Sequence, residues 1–169
     1  MSALLAQLRR FRDNRGLMAD LRCALVREKR HRAWPALGRL NVDVTDENAA
    51  VVSGLFATHP EETHHGNFGA TCRTIQSHRG ESVSRDKEAR ITPTERRFQH
   101  LLAAEPGEEL HKRVTRFVLL AKSQGVPVNF VQLEKDLTNW SDRVRAEWAG
   151  AFWTPAMATA EESGAEEAL

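Results

Sequence analysis

Thr92-Pro93-Thr94-Glu95-Arg96-Arg97-Phe98-Gln99-His100-Leu101-Leu102, closed by Pro106-Gly107, is the stretch from which the fold class follows. Thr92 and Glu95 form a capping box with Pro93 at the first helical position: the Thr92 hydroxyl accepts the Glu95 amide, and the Glu95 carboxylate reaches back to the Thr92 amide. Phe98, Leu101 and Leu102 then share one side of a helix, with Arg96, Arg97 and His100 largely elsewhere. After the Pro106-Gly107 break, a second helix is predicted over 108–124, with Leu110, Val114, Phe117, Val118 and Ala121 at helical spacing. Gly125 and Pro127 end it. Asn129 caps a third helix whose stripe is Leu133, Leu137 and Trp140, and Ser141 restarts a fourth carrying Val144, Trp148 and Phe152. Four helices in 92–153, joined by short polar turns, predict an antiparallel bundle.

The pattern continues towards the N-terminus. Residues 1–11 make a short amphipathic start on Leu4, Leu5 and Leu8. Asp13 or Asn14 is expected to cap one long helix through Arg32, with Arg15, Arg22 and Lys29 recurring along one exposed side. Trp34-Pro35 breaks it, leaving one further turn at 36–40. Thr45 is expected to start the next helix, with Asp46 and Glu47 suiting the dipole of its first turn, and His59-Pro60 to end it. Asn67 or Gly69 opens another helix towards Ser77. Residues 79–91 lack periodicity and read as an exposed loop or linker; 154–169 is small, acidic and non-aromatic, the composition of a disordered tail. The fold is therefore predicted to be all-α: a bundle in 1–78 and a second in 92–153.

Among the 169 residues no apolar run approaches the roughly 20 needed to span a bilayer, and no signal-peptide core follows Met1, so a cytoplasmic protein without a membrane partner is expected. The net charge of +1 conceals segregation: residues 1–40 carry +7, 41–70 carry −5, 71–153 carry +3 and the tail −4. Blocks of this kind imply a basic face and a separate acidic one.

Candidates for chemistry are weak. His59, His64, His65, Cys72 and His78 have zinc-ligand chemistry without the spacing of a finger or of an HExxH helix. Ser77-His78 lacks a nucleophile elbow, and neighbours on a helix do not face each other. Cys23 and Cys72 read as small core residues. No enzyme, metal or cofactor is expected. The basic positions remain. The cluster Lys112, Arg113 and Arg116 reads first as a solvated helix face. The preference for Arg over Lys, spread over several helices, points instead to bidentate phosphate contact without base readout. The Trp and Phe residues are assigned mainly to the core.

Five stretches then combine: LFATHP (55–60), NFGATCR (67–73), ERRFQHLLAAE (95–105), VNFVQLEKDLTNW (128–140) and WAGAFW (148–153). In order and spacing, over residues 15–153, they resemble the CasB family, the small subunit of the type I-E CRISPR surveillance complex Cascade. The family commonly has Asp-Trp where this chain has Asn129-Phe130. The resemblance implies two small helical bundles and a non-catalytic role in an RNA-guided complex. It also implies partners: the backbone and large Cascade subunits, a second copy of the chain, and CRISPR RNA and target DNA held without sequence preference, particularly the displaced strand of the R-loop. Carried over by position, it assigns nucleic-acid contact to Arg73, Arg96, Arg97, Arg116, Lys135, Arg143 and Arg145. Arg22 and Arg27 match more loosely, and Arg113 joins through its proximity to Arg116. The acidic segment 43–62 is expected to face protein. The rival readings are a helical adaptor that binds protein alone and, behind it, a metal-dependent hydrolase.

Overall fold

The computed structural model describes residues 2–81, 90–155 and 157, and the regular elements among them are all helices, without a strand. The chain runs through α1 (Ala3–Arg10), α2 (Arg15–Arg22), two 3-10 turns (Cys23–Leu25 and Arg27–Ala33), α3 (Trp34–Arg39), α4 (Glu47–Thr58), α5 (Phe68–His78), α6 (Pro93–Leu102), α7 (Glu108–Gln124), α8 (Phe130–Thr138) and α9 (Asp142–Trp153). Residues 82–89, the middle of the expected linker, and nearly all of the acidic tail lie outside the described residues.

The capping logic holds where a side chain has no better partner. Asn129 accepts the Gln132 amide and Ser141 the Val144 amide, and Gly125 ends α7 in the left-handed region at φ 66°. The box at α6 is only half formed. Thr92 accepts the Glu95 amide, but the Glu95 carboxylate accepts the indole N–H of Trp153 at 2.8 Å instead of turning back. A buried-side aromatic donor from α9 outcompetes a backbone amide that water can satisfy. The cap of α4 is Asp46, which accepts the Ala49 amide, whereas the Thr45 hydroxyl donates to Asp43 in a local turn. Asn67, rather than Gly69, caps α5.

The long helix expected to run from a cap at Asp13 or Asn14 through Arg32 is the main local correction; Asn14 is the cap. α2 stops at Arg22, Val26 is extended and exposed, and the polar run 27–33 winds as a 3-10 segment. Ala24 of the first 3-10 turn and Ala33 at the end of the second are buried, while the charged side chains between them stay largely outside. The seven-residue recurrence of Arg15, Arg22 and Lys29 therefore does not line one helix face.

α4 organises the interior. Every residue from Ala49 to Ala57 is buried, so this helix is apolar all round and packs against α1, α2, α7 and α8. α5 lies against α7 and α9, and α6 against α5 and α7. The helical groups on either side of residues 79–91 thus share one contiguous buried cluster, running from Leu5 and Leu21 through Phe56 to Phe98, Phe130 and Trp148. Polar clasps reinforce the seam. The Ser2 hydroxyl donates to Glu134 of α8, and Arg9 makes a two-pronged ion pair with Glu62 at 2.8 and 3.0 Å. Around the Glu62–Val128 bridge, the Thr63 amide donates to the Val128 carbonyl and the Val128 amide to the Glu61 carbonyl. At least one acid of segment 43–62 therefore faces the chain's own N-terminal helix.

α7 is pinned to α4 by His111, whose Nε2 lies 2.7 Å from the Asn48 side-chain oxygen. Burial chiefly pushes the His111 pKa below its ordinary value of 6.5, with Arg30 adding to the effect and Glu47 and Glu108 opposing it. A depressed histidine pKa means that the unfolded chain binds the proton more readily. The contribution of neutral His111 is therefore complete above about pH 6.5 and is lost as pH falls towards the folded value. His111→Gln is expected to flatten the decline in Tm between about pH 7 and about pH 5, read by thermal melts at both. An unchanged decline would place the acid sensitivity elsewhere.

Candidate nucleic-acid interface

α6 and α7 meet at an angle that leaves a groove of about 610 Å³ on their outer side. Phe98 and Leu101 of α6 are spent on the core, which turns Arg97 and His100 to the groove rim. On α7 the buried row Val114, Phe117, Val118 and Ala121 leaves Arg113 and Arg116, one turn apart, facing the same space. The floor is apolar: Phe117 and Leu120 contribute, and Leu119 is 48% exposed. Three guanidinium groups, one imidazole and no carboxylate line this groove. Among the described residues neither Arg97 nor Arg116 has an acidic partner within ion-pair distance; Arg113 is held by Glu109 at 3.3 Å. An unneutralised basic rim over an apolar floor is suited to an anionic chain with flat, weakly polar attachments.

A second groove of about 490 Å³ runs along the other flank of α7, and Arg116 borders both. Here the 3-10 turn brings Arg27 and Arg30 opposite Lys112. Its charge is more balanced, because Glu108 sits 3.5 Å from Arg27 and 3.9 Å from Lys112. Arg30, His100 and Lys112 are lining residues that the resemblance does not supply. Lys112 was legible in the α7 cluster, whereas Arg30 needed the 3-10 segment to bring it there.

The remaining basic candidates separate by what holds them. Arg22 donates to the carbonyl of Ala57 at the end of α4, and Arg73 to that of Phe152 at the end of α9. Arg145 donates to Ala104 O at 3.1 Å, pairs with Asp142 at 3.0 Å and covers the Trp140 ring at 5.2 Å. These three forks satisfy carbonyls at or just past helix C-termini, where cations complement the dipole. Arg96 is exposed on α6 outside the groove lining. Lys135 on α8 and Arg143 on α9, the latter 3.8 Å from Glu147, are exposed away from both grooves. Arg145→Ala is expected to lower Tm by several degrees, the loss of about 1–2 kcal/mol of charge-assisted bonding, with no change in any salt-dependent binding. A change in salt slope with unaltered Tm would reverse that assignment.

The histidines and cysteines do not assemble. His59 Nε2 is 2.7 Å from Val126 O, His78 Nδ1 is 3.2 Å from Gln124 O, and burial raises the Cys72 thiol pKa well above its ordinary value. Among the described residues no three His, Cys, Asp or Glu side chains converge as metal ligands, and no helix is long and apolar enough to cross a membrane.

No curated protein sequence matches the chain significantly. Its fold is similar to those in two crystal structures from Thermus thermophilus, one of TTHB189, a CRISPR-associated protein of the Cse2 family, and one of CasB. Each is 20% identical with a TM-score of 0.69, over 89% of this chain and 95% of the other. M. ruber CasB is 23% identical with a TM-score of 0.68, over 96% and 98% of the two chains. The model of the family "CRISPR-associated protein Cse2" matches residues 4–153, from the first turn of α1 to the last residue of α9. On that match this chain belongs to the CRISPR-associated Cse2 (CasB) family.

Proposed function

We propose that the chain is the small, non-catalytic subunit of a Cascade-type RNA-guided surveillance complex, and that it holds nucleic acid by its phosphates along α7. The observation that carries this reading is the α6–α7 groove, where Arg97, Arg113 and Arg116 converge without a lining carboxylate. Arg27, Arg30 and Lys112 extend the basic surface around the helix. Exposed Arg96, Lys135 and Arg143 add peripheral contacts, while Arg22, Arg73 and Arg145 act through the fold. Exchange of a DNA duplex for an RNA–DNA hybrid is nearly balanced in energy, so a few phosphate contacts to the displaced strand bias it towards the open R-loop. The partners are the backbone and large subunits, a second copy of the chain, CRISPR RNA and target DNA.

The test is fluorescence anisotropy with labelled single-stranded DNA, duplex DNA and RNA over a salt series. Binding that ignores sequence is expected. For three to four single-strand phosphates, log K should fall against log salt with a slope of about −2 to −3. Flat anisotropy at low salt would favour the protein-only adaptor.

A further inference from the structure

We infer that the acidic stretch 160–167 docks on the α6–α7 groove of its own chain when nucleic acid is absent, and so competes with it. This rests on the groove being the phosphate-binding face. The tail begins where α9 packs on α6, on the flank of that helix away from the groove. Trp153, the last residue of α9, donates its indole N–H to Glu95 and lies 5.3 Å, ring to ring, from Phe98, both on α6. Arg97 and His100 stand on that same helix.

Charge favours this occupant. Beyond Arg145 the sequence contains no Lys, Arg or His, and its acids after α9 are two pairs, Glu161-Glu162 and Glu166-Glu167, separated by Ser-Gly-Ala. The groove offers the complement, three arginines of which two lack an acidic partner among the described residues. A carboxylate engages the guanidinium fork in the geometry a phosphate does, so the pairs mimic a short anionic strand. The intervening alanine and glycine suit the apolar floor at Leu119 and Leu120. Reach is adequate: Glu161 lies eight residues beyond Trp153, a length that extends to at most about 26 Å, against about 10–12 Å across a helix with its side chains.

Tethering sets the magnitude. A short linker supplies an effective concentration in the millimolar range, so even a millimolar intrinsic affinity occupies a substantial fraction of grooves. Removing the competitor then tightens binding by a factor of one plus the ratio of effective concentration to intrinsic Kd, about three- to tenfold for an intrinsic Kd of roughly 0.1–0.5 mM at an effective concentration of about 1 mM.

Two measurements on the full chain test this. The first compares single-stranded DNA affinity of the parent, of a chain ending at Met157, and of Glu161→Gln/Glu162→Gln/Glu166→Gln/Glu167→Gln. Both variants are expected to bind about three- to tenfold tighter at about 50 mM salt, the gap closing near about 0.5 M. Unchanged affinity in a parent that does bind DNA overturns the inference. The second needs no DNA: a nitroxide on Ala165→Cys in a Cys23→Ser background, with Cys72 buried and unlabelled. Amide broadening at His100, Leu120 and Ser123, abolished by Arg97→Gln with Arg116→Gln, is expected. Absent broadening, or broadening that grows with protein concentration because another copy's tail is bound, overturns it. If no form binds DNA, the phosphate-binding reading fails while the nitroxide result still decides where the tail sits.

Discussion

In a chain ending at Met157, where no tail competition is relieved, Arg97→Gln combined with Arg116→Gln is expected to weaken single-stranded DNA binding about 60-fold at about 50 mM salt, with Tm unchanged. Each phosphate contact contributes a slope of about −0.7 to log K against log salt, so its loss at that salt costs roughly eightfold, and two independent losses multiply. The log–log slope should shrink by about 1.4. Gln is chosen over Glu so that the result reports a lost attraction and not an added repulsion. Both side chains are exposed and lack an acidic partner among the described residues, so no stabilising contact is removed with them. Anisotropy over a salt series reads affinity and slope together. A change of less than about threefold would mean that the groove is not where the strand lies.

Gly69→Ala should be the most damaging single substitution in the fold. A Cβ at this position would stand 2.1 Å from the carbonyl oxygen of Trp148 and 2.8 Å from its Cα. The obstacle is the α9 backbone, so no side-chain rotation relieves it, and α5 and α9 must separate. Overpacking commonly costs about 1–3 kcal/mol, and a clash with backbone sits at or above the top of that range. The gain in helix propensity, about 1 kcal/mol, offsets only part. A net loss of about 3 kcal/mol lowers Tm by about 10 °C in a chain of this size. Circular-dichroism melts measure it, and a Tm within about 3 °C of the parent would show that the two helices separate freely. The effect reaches the interface, because α9 also carries Phe152, which stacks on Phe98 of α6 at 4.4 Å behind the groove.

Gly69 illustrates what a sequence conceals. Read alone, it is a plausible helix start; only the approach of α9 reveals it as a contact that excludes every side chain. The same holds for arginine. Arg73 and Arg97 look equivalent as basic residues flanking apolar helices, yet one guanidinium is held by the carbonyl of Phe152 and the other is open to solvent. A fork that recognises phosphate also recognises a helix C-terminus, and residue type does not distinguish them.

What the amino-acid order determined by itself was local and periodic: the all-α class, the span of α7 from Glu108 to Gln124, the caps at Asn129 and Ser141, and the aromatic stripe on α9. These depend on interactions within a few residues, where spacing and capping chemistry act directly. The tertiary structure decided the rest: the end of α2 at Arg22, the burial of α4 on all sides, the diversion of Glu95 to Trp153, and the selection of Arg97, Arg113 and Arg116 as one groove. Each depends on which partner arrives from a distant part of the chain, and a polar side chain between two acceptable partners takes the one that packing brings closer.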